Sequence, residues 1–435
     1  MTDMLSDRDA TRIDDVIARR AEAAFGFLER LVAAPSTVGQ ETEAQAVVAE
    51  ELDRLGFTVW RIPVPASIAD DPAAGVPQVP YTGRHDVYGV TDDDSAPKLL
   101  LNGHIDVVPA HDADLWSGDP FVPVRRDGWL YGRGAGDMKC GFAMASLALD
   151  GLRGAGVDLP GPLGFLSAIE EECTGHGTLA AARAGVLGDN VLLMEPTGLD
   201  ILVAGIGVLW IEIEVGSAGG HAEVADRSGN PVRSLSRLIA ALRRFEERMN
   251  EENPDPVFAT VPHPYNVNIG RICSGDWASS VPARARASIR VGFPRLWSPA
   301  QAEEAVREVI LAEAAEDPWL AEHPPVVRSS GFRAEGYALD PAHPLVTTVA
   351  AAHKAAHGTT PSPYAIGSTT DARFYLNQFN RPALCYGPNV RNMHGVDEAV
   401  ELASIVAGAR TLARVIPTLL AEGTGFPQPD PEGLR

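Results

Sequence analysis

The chain has 435 residues, with 36 Lys+Arg against 58 Asp+Glu and a formal net charge of −22. That length exceeds one typical domain and implies two, one inserted in the other. So acidic a chain repels phosphate backbones and anionic membrane surfaces, which sets aside nucleic acid and membranes as partners.

The amino terminus, MTDMLSDRDATRIDD, is polar and acidic without an apolar signal-type core, and no run of about 18 apolar residues occurs, so a soluble, cytoplasmic protein is expected. From Ile13 to Val32 apolar residues recur at three- and four-residue steps, predicting an amphipathic helix that Pro35 ends. A second helix is predicted from Glu41 to Leu55, with Gly56 as its C′ residue, and FTVWRI follows as a strand. The stretch from Pro63 to Pro97, rich in Pro, Gly and Asp, reads as a long surface loop with one short strand near Val87. KLLLNGH then reads as a strand covered on both faces, as in a parallel sheet, ending in His104 with Asp106 just beyond.

A glycine-rich turn carrying Asp137 leads into a helix from Met138 to Leu152. GPLGFLSAIEEE and NVLLMEPTG are further apolar strands that terminate in Glu170, Glu171 and Glu172, and in Glu195. The middle of the chain changes character. GVLWIEIEVGS alternates apolar and acidic residues with period two, the pattern of an antiparallel, half-exposed strand. Helix 231–249, strands YNVNIGRI and ARARASIRVGF, helix 299–315 and a strand near PVVRSS complete a β-α-β-β-α-β unit. The predicted class is therefore α/β: a catalytic domain of residues 1–207 and 334–435 with a mainly parallel sheet flanked by helices, and an inserted α+β unit at 208–333. Strand Ala383–Tyr386 and a loop carrying His394 follow, and a Pro-rich tail begins after Gly423. Cys140, Cys173, Cys273 and Cys385 lack CxxC spacing, which indicates neither a disulfide framework nor a thiolate zinc site, and Cys140 and Cys173, close to the motifs below, read as packing residues.

His104, Asp106, Asp137, Glu171, Glu172, Glu195 and His394 all fall at strand ends or in loops that a parallel sheet gathers at one edge. Taken singly, each has a bland reading: a core histidine, a solvated acidic face, a helix cap, a loop residue. Their joint placement favours a mixed His/carboxylate set for Zn²⁺ or another borderline divalent ion. The number of groups exceeds one tetrahedral site and suits two metals that share a carboxylate, with an acid left over for proton transfer. GxSxG is absent, which argues against a serine nucleophile.

NGHIDVVP, GRGAGDMKCG, AIEEECTGHGT, MEPTG and NMHGVDE resemble the motifs of the M20 metallopeptidase family, and the likeness spans nearly the whole chain. That family includes acetylornithine deacetylase, succinyl-diaminopimelate desuccinylase, carboxypeptidase G2 and aminoacylase; GDWASSVPARA and TTDARFY look most like the deacylases. The resemblance implies that Asp137 bridges two metals, with His104 and Glu195 completing one site and Glu172 and His394 the other. Zn²⁺ is the first expectation, Co²⁺ or Mn²⁺ the alternatives. It implies that Asp106 orients the His104 imidazole, and that Glu171, standing one residue before the ligand Glu172, is the base. A water between the metals, its pKa lowered towards about 7, would lose its proton to Glu171, which later passes it to the departing amine.

The inserted unit would act as lid and dimerisation domain. His221 would reach the partner's site in a homodimer and stabilise the oxyanion, with strand GVLWIEIEV and helix 231–249 supplying an edge and a face for the contact. Arg290 matches a substrate-carboxylate arginine, and Asn268 and Arg373 are further candidates. Gly367, Ser368 and Thr369 resemble a loop that lines the pocket. Relatives that carry Asn and Asp where this chain has Ser279 and Ser288 leave carboxylate recognition open. The expected activity is metal-dependent hydrolysis of an amide C–N bond in a small, carboxylate-bearing molecule, with N-deacylation in front. The alternatives are a dipeptidase or carboxypeptidase, hydrolytic deamination of an aromatic amino acid, and a non-catalytic binding protein, for which a free base beside two metals has no use.

Overall fold

The structure, a computed structural model, describes residues 5–92, 95–110, 113–225 and 229–421; the Pro-rich tail after Gly423 lies outside the described residues. Helix α1 (Asp7–Ala33) starts where Ser6 Oγ accepts from Asp9 N at 3.2 Å, and it buries Ile13, Ile17, Leu28 and Leu31 at the predicted steps. Helix α2 (Thr42–Arg54) ends before Gly56, whose φ is +85°. Strands β1 (Thr58–Pro63), β2 (His85–Val90) and β3 (Leu99–His104) precede α3 (Lys139–Ala155), β4 (Leu163–Ala168), α4 (His176–Arg183), β5 (Asn190–Leu193) and β6 (Ile201–Gly205).

Then come β7 (Gly207–Gly216), α5 (Pro231–Glu252), β8 (Val267–Ser274), β9 (Arg284–Phe293), α6 (Pro299–Ala315) and β10 (Val326–Ala334). The chain closes through β11 (Tyr337–Ala338), α7 (Pro344–His357), β12 (Pro363–Ile366), α8 (Ala372–Gln378), β13 (Ala383–Cys385) and α9 (Leu402–Ala421).

The large sheet runs β1-β2-β4-β3-β5-β13-β6-β11, with β12 also paired to β6. Its centre, β4-β3-β5-β13, is parallel, and antiparallel strands flank it. Leu99 and Leu101 of β3 pack into the core with α1, α3, α7 and α9, whereas Leu100 packs into the core that holds parts of α4 and α8. A strand with no face in water must be apolar throughout, which is why LLL precedes the polar end of β3. Helix α9 is the one helix among the described residues long and apolar enough to cross a membrane; it packs on α1, α3 and α7, and 61% of its most apolar window is buried.

The second sheet, β8-β9-β7-β10, is antiparallel throughout, and α5 and α6 cover one of its faces. Ile211, Ile213 and Val215 of β7 point into that core, while Glu212 and Glu214 face the other way. Strand β7 is antiparallel as its alternation predicted, but it is not the edge expected to supply a contact between subunits. β9 and β10 occupy its two sides, so the edges are β8 and β10. Alternation reports which face is wet and says nothing about lateral neighbours.

The stretch between β1 and β2 also departs from a surface loop. It buries Val64, Ile68, Ala74, Tyr81 and Arg84, and Val76 bridges Gly331 of β10. Its Pro and Gly residues prevent a long strand without preventing burial.

Candidate metal centre and active site

The parallel strands deliver their chemistry at one sheet edge. β3 ends on His104, β4 runs on into Ile169 and the acidic triplet, and β5 is followed by Met194 and Glu195. Asp137 stands two residues before α3, joined to Met138 by a cis peptide, and His394 lies in the loop after β13.

Asp137 is the centre of the cluster. Its Oδ1 lies 3.2 Å from His104 Nε2 and its Oδ2 lies 3.1 Å from His394 Nε2. His394 Nε2 is also 3.1 Å from Glu172 Oε1. Glu195 Oε2, at 3.9 Å, and Glu171 Oε2, at 4.0 Å, flank His104 Nε2. Ligand atoms of His104, Asp137 and Glu172 all lie within 4.8 Å of one another.

His104 Nδ1 donates to the Asp106 carbonyl at 2.9 Å, which turns Nε2 toward the carboxylate oxygens, where it either carries a proton or meets a metal ion. Such a juxtaposition requires positive charge between the groups. Ligand atoms held at 2.0–2.1 Å around a tetrahedral Zn²⁺ stand about 3.3 Å apart, close to the spacings on Asp137. The donor set therefore fits a divalent cation.

The proton affinities tell the same story. Burial pushes Glu171 well above the usual carboxylate range and Glu195 up to about 8, although His104 opposes both shifts. Burial acts on Asp137 too, but its bonds to His104 and His394 outweigh it and hold that carboxyl well below the usual range. The charge of Glu172, with Asp137, pushes His394 up to about 11. His104 is raised against the effect of its burial by Glu195, Asp137 and Glu171.

Around this centre lies a scaffold of buried charge. Asp106, expected to orient His104 through its carboxylate, does so through its carbonyl; the carboxylate is 3.7 Å from Nδ1. Its two oxygens instead accept from Glu171 N and Glu172 N, each at 3.1 Å, and so fix the acidic turn. Glu398 accepts from Gly136 N at 2.8 Å and Asp137 N at 2.9 Å, and its other oxygen pairs with Arg133. Buried Lys139 donates to Leu31 O and Ala34 O at 2.8 and 3.0 Å, tying the start of α3 to the end of α1; burial pulls its pKa down to about 7.

On the side of the inserted sheet, Arg290 Nη1 donates to Asn266 Oδ1 at 2.6 Å, and Nη2 lies 3.3 Å from Ser368 Oγ and 3.4 Å from Gly367 O. Burial lowers the pKa of this guanidinium to about 10. Its described hydrogen-bond partners are neutral, so its charge is left for an anion. The loop 367–369 thus meets Arg290, and Thr369 Oγ1 is buried with no hydrogen-bond partner.

Two of the predicted substrate contacts lie elsewhere. Asn268 is exposed on edge strand β8, opposite Arg290 in register, and it is Asn266 that holds the guanidinium. Arg373 is 3% exposed and donates to Thr370 O and Thr174 O, both at 3.1 Å, with Asp371 Oδ1 at 3.3 Å. Its guanidinium braces the turn behind the acidic triplet instead of meeting solvent. His221 is exposed, pairs with Ser280 in a short ladder, and accepts from Glu223 N through Nδ1 at 3.2 Å.

Sequence reasoning missed Glu398, Arg133, Asn266 and Asp371. Glu398 and Arg133 stand inside the NMHGVDE and GRGAGD motifs, and a buried acid and base at such positions were the available signal. Asn266, the residue just before β8, stands two residues from Asn268, the period at which a strand read from the sequence puts both on one face, so nothing local separates them.

The chain matches peptidase family M20/M25/M40 over residues 100–418. A succinyl-diaminopimelate desuccinylase from Methylobacterium sp. (strain 4-46) is 33% identical over 404 residues, covering 90% of this chain and 95% of that protein. An N-formyl-4-amino-5-aminomethyl-2-methylpyrimidine deformylase from Bacillus subtilis (strain 168) is 28% identical over 395 residues, covering 86% and 88%. In three dimensions the chain is similar to the dipeptidase Dug1p from Saccharomyces cerevisiae, with a TM-score of 0.79 over 95% of this chain and 99% of that one; at 15% identity this likeness concerns the fold.

Proposed function

The chain belongs to peptidase family M20/M25/M40, a metal-dependent hydrolase acting on C–N bonds, and from that premise we propose that it is a two-metal N-deacylase of a small, carboxylate-bearing amide. The observation that carries this reading is the division of Asp137 between two imidazoles, His104 on Oδ1 and His394 on Oδ2, at 3.2 and 3.1 Å. A carboxylate so shared suits a bridge, with Glu195 beside the first imidazole and Glu172 beside the second. Zn²⁺ suits these donors best, and Co²⁺ or Mn²⁺ would serve.

When bound, the ions polarise the scissile carbonyl and make a neighbouring water acidic. Glu171 takes the proton of that water and delivers it to the departing nitrogen; burial, by raising its proton affinity, brings it nearer the range useful for both transfers. Asp106, through the backbone N–H groups of Glu171 and Glu172, keeps base and ligand in register. Glu398 keeps the backbone at Asp137 in place. Arg290, steadied by Asn266 and Ser368, binds the substrate carboxylate.

Residues 208–333 form the lid and the homodimer contact in this proposal, with His221 crossing to the partner's site as an oxyanion donor. Its exposure in the single chain supports that role. The edge strands of the sheet are β8 and β10, and of these β10 is already bridged by Val76 at Gly331, which leaves β8 as the edge for the contact. Four free cysteines suit a reducing, cytoplasmic setting. N-deacylation is favoured over peptide cleavage because the desuccinylase and the deformylase are the relatives similar in sequence. Metal-loaded protein assayed for amine release from N-succinyl and N-formyl amino acids, and from dipeptides, should act on the acylated compounds. Turnover confined to dipeptides would overturn the deacylase reading.

A further inference from the structure

The segment between β1 and β2 reaches two distant places at once. At β10, Val76 N donates to Gly331 O at 2.7 Å and Gly331 N donates to Val76 O at 3.1 Å. Gly75 is packed so closely there that a Cβ would stand 2.4 Å from Gly331 O.

The same Gly75 donates its N–H to His176 Nε2 at 3.0 Å. That nitrogen must accept, so the neutral ring carries its proton on Nδ1, which donates to the Tyr81 hydroxyl oxygen at 2.5 Å. The Tyr81 hydrogen then goes to Glu170 Oε2 at 2.7 Å, where Thr174 Oγ1 also donates, at 2.6 Å. The other Glu170 oxygen pairs with Arg84, which also grips Glu41. Glu170 and His176 are 0% exposed, Tyr81 6% and Arg84 7%. A one-directional chain of hydrogen bonds thus runs from the backbone beside Gly331 to a carboxylate immediately before Glu171 and Glu172.

We propose that this segment is a clasp, in which Tyr81 and His176 are positioning residues: they lock Glu170, and through it the backbone of Glu171 and Glu172, and tie that acidic turn to the inserted sheet at Gly331. The proposal rests on the reading of Glu171 as base and Glu172 as ligand. Asp106 holds the turn from the metal side by two N–H groups, and the clasp holds it from behind. A base and a ligand on adjacent residues need both, because rotation of the turn that improves one displaces the other.

Tyr81→Phe removes one hydroxyl, and Gly75→Ala pushes the segment off Gly331. Tyr88→Phe, a buried tyrosine of β2 outside the network, is the control. The full-length protein is loaded with Co²⁺ and followed by visible absorption, by hydrogen exchange over residues 169–176, and by steady-state hydrolysis of an N-succinyl amino acid. Tyr81→Phe should keep the Co²⁺ stoichiometry, shift its absorption bands, speed exchange of the Glu171 and Glu172 amides about tenfold, and lower kcat on the order of 10- to 100-fold with KM little changed. Gly75→Ala should move the same amides; if it does not fold, Tyr81→Phe alone decides. Unchanged bands and exchange in Tyr81→Phe, or changes no larger than those of Tyr88→Phe, overturn the clasp. Absence of turnover in the wild type would overturn the deacylase reading, while the Co²⁺ bands and exchange rates still decide this one.

Discussion

Glu171→Gln exchanges one carboxylate oxygen for an amide nitrogen in a side chain that is 8% exposed and stands 4.0 Å from His104 Nε2. Volume and packing are conserved, and the backbone bond from Glu171 N to Asp106 is untouched. The exchange is isosteric, so folding stability should change by about 1 kcal/mol at most. What disappears is the capacity to take and return a proton. General acid–base catalysis contributes about 10²- to 10⁴-fold, a barrier change of about 3–5 kcal/mol.

Glu172→Gln is the discriminating companion. Glu172 Oε1 sits 3.1 Å from His394 Nε2, so its substitution strikes the donor set and should weaken metal retention before anything else. Both variants are dialysed against metal-free buffer, analysed for bound metal by mass spectrometry, and assayed on an N-acyl amino acid with metal in excess. Glu171→Gln should retain metal and lose turnover, and Glu172→Gln should lose metal and regain part of its turnover when metal is added. The opposite pattern would mean that base and ligand are assigned one residue out of register.

Elemental analysis of active enzyme should find about two divalent ions per chain, with chelation abolishing turnover and Zn²⁺, Co²⁺ or Mn²⁺ restoring it; active protein with only trace metal would refute this. Arg290→Lys should raise KM for carboxylate-bearing amides about 10- to 100-fold and leave a neutral analogue unaffected, since a bidentate fork is replaced by a point charge. Mixing His221→Ala with Glu171→Gln subunits should restore part of the activity each lacks alone, and verified subunit exchange without recovery would confine His221 to its own chain. Burial lowers His176 from 6.5 to about 4, so between those values the unfolded chain binds more protons than the folded one, and stability is lost as pH falls. Urea unfolding of the wild type should lose about 2 kcal/mol more between pH 7 and pH 5 than that of His176→Gln; parallel losses in the two would refute the shift.

Hydrophobic periodicity is written within a few residues, and whatever depends on it was legible. The three leucines of β3 marked a strand covered on both faces, the steps from Ile13 to Leu31 marked the buried face of α1, and the polar residues ending β3, β4 and β5 marked one sheet edge. The groups around Asp137 could be gathered because a parallel strand order brings its carboxyl ends together whatever the loops do.

Lateral order and contact register are different quantities, set by packing between segments far apart in the chain. Alternation in β7 could not reveal that β9 and β10 flank it. Two-residue spacing placed Asn266 and Asn268 on one face, and only the approach of β9 chose Asn266 as the partner of Arg290. Asp106 lies 65 residues from the backbone N–H of Glu171 that its carboxylate holds, and Glu398 lies 262 residues from the Gly136 N–H that it holds. A buried carboxylate must find donors wherever the fold places them, so residue type foretold that these acids would be partnered, and tertiary packing alone decided with whom.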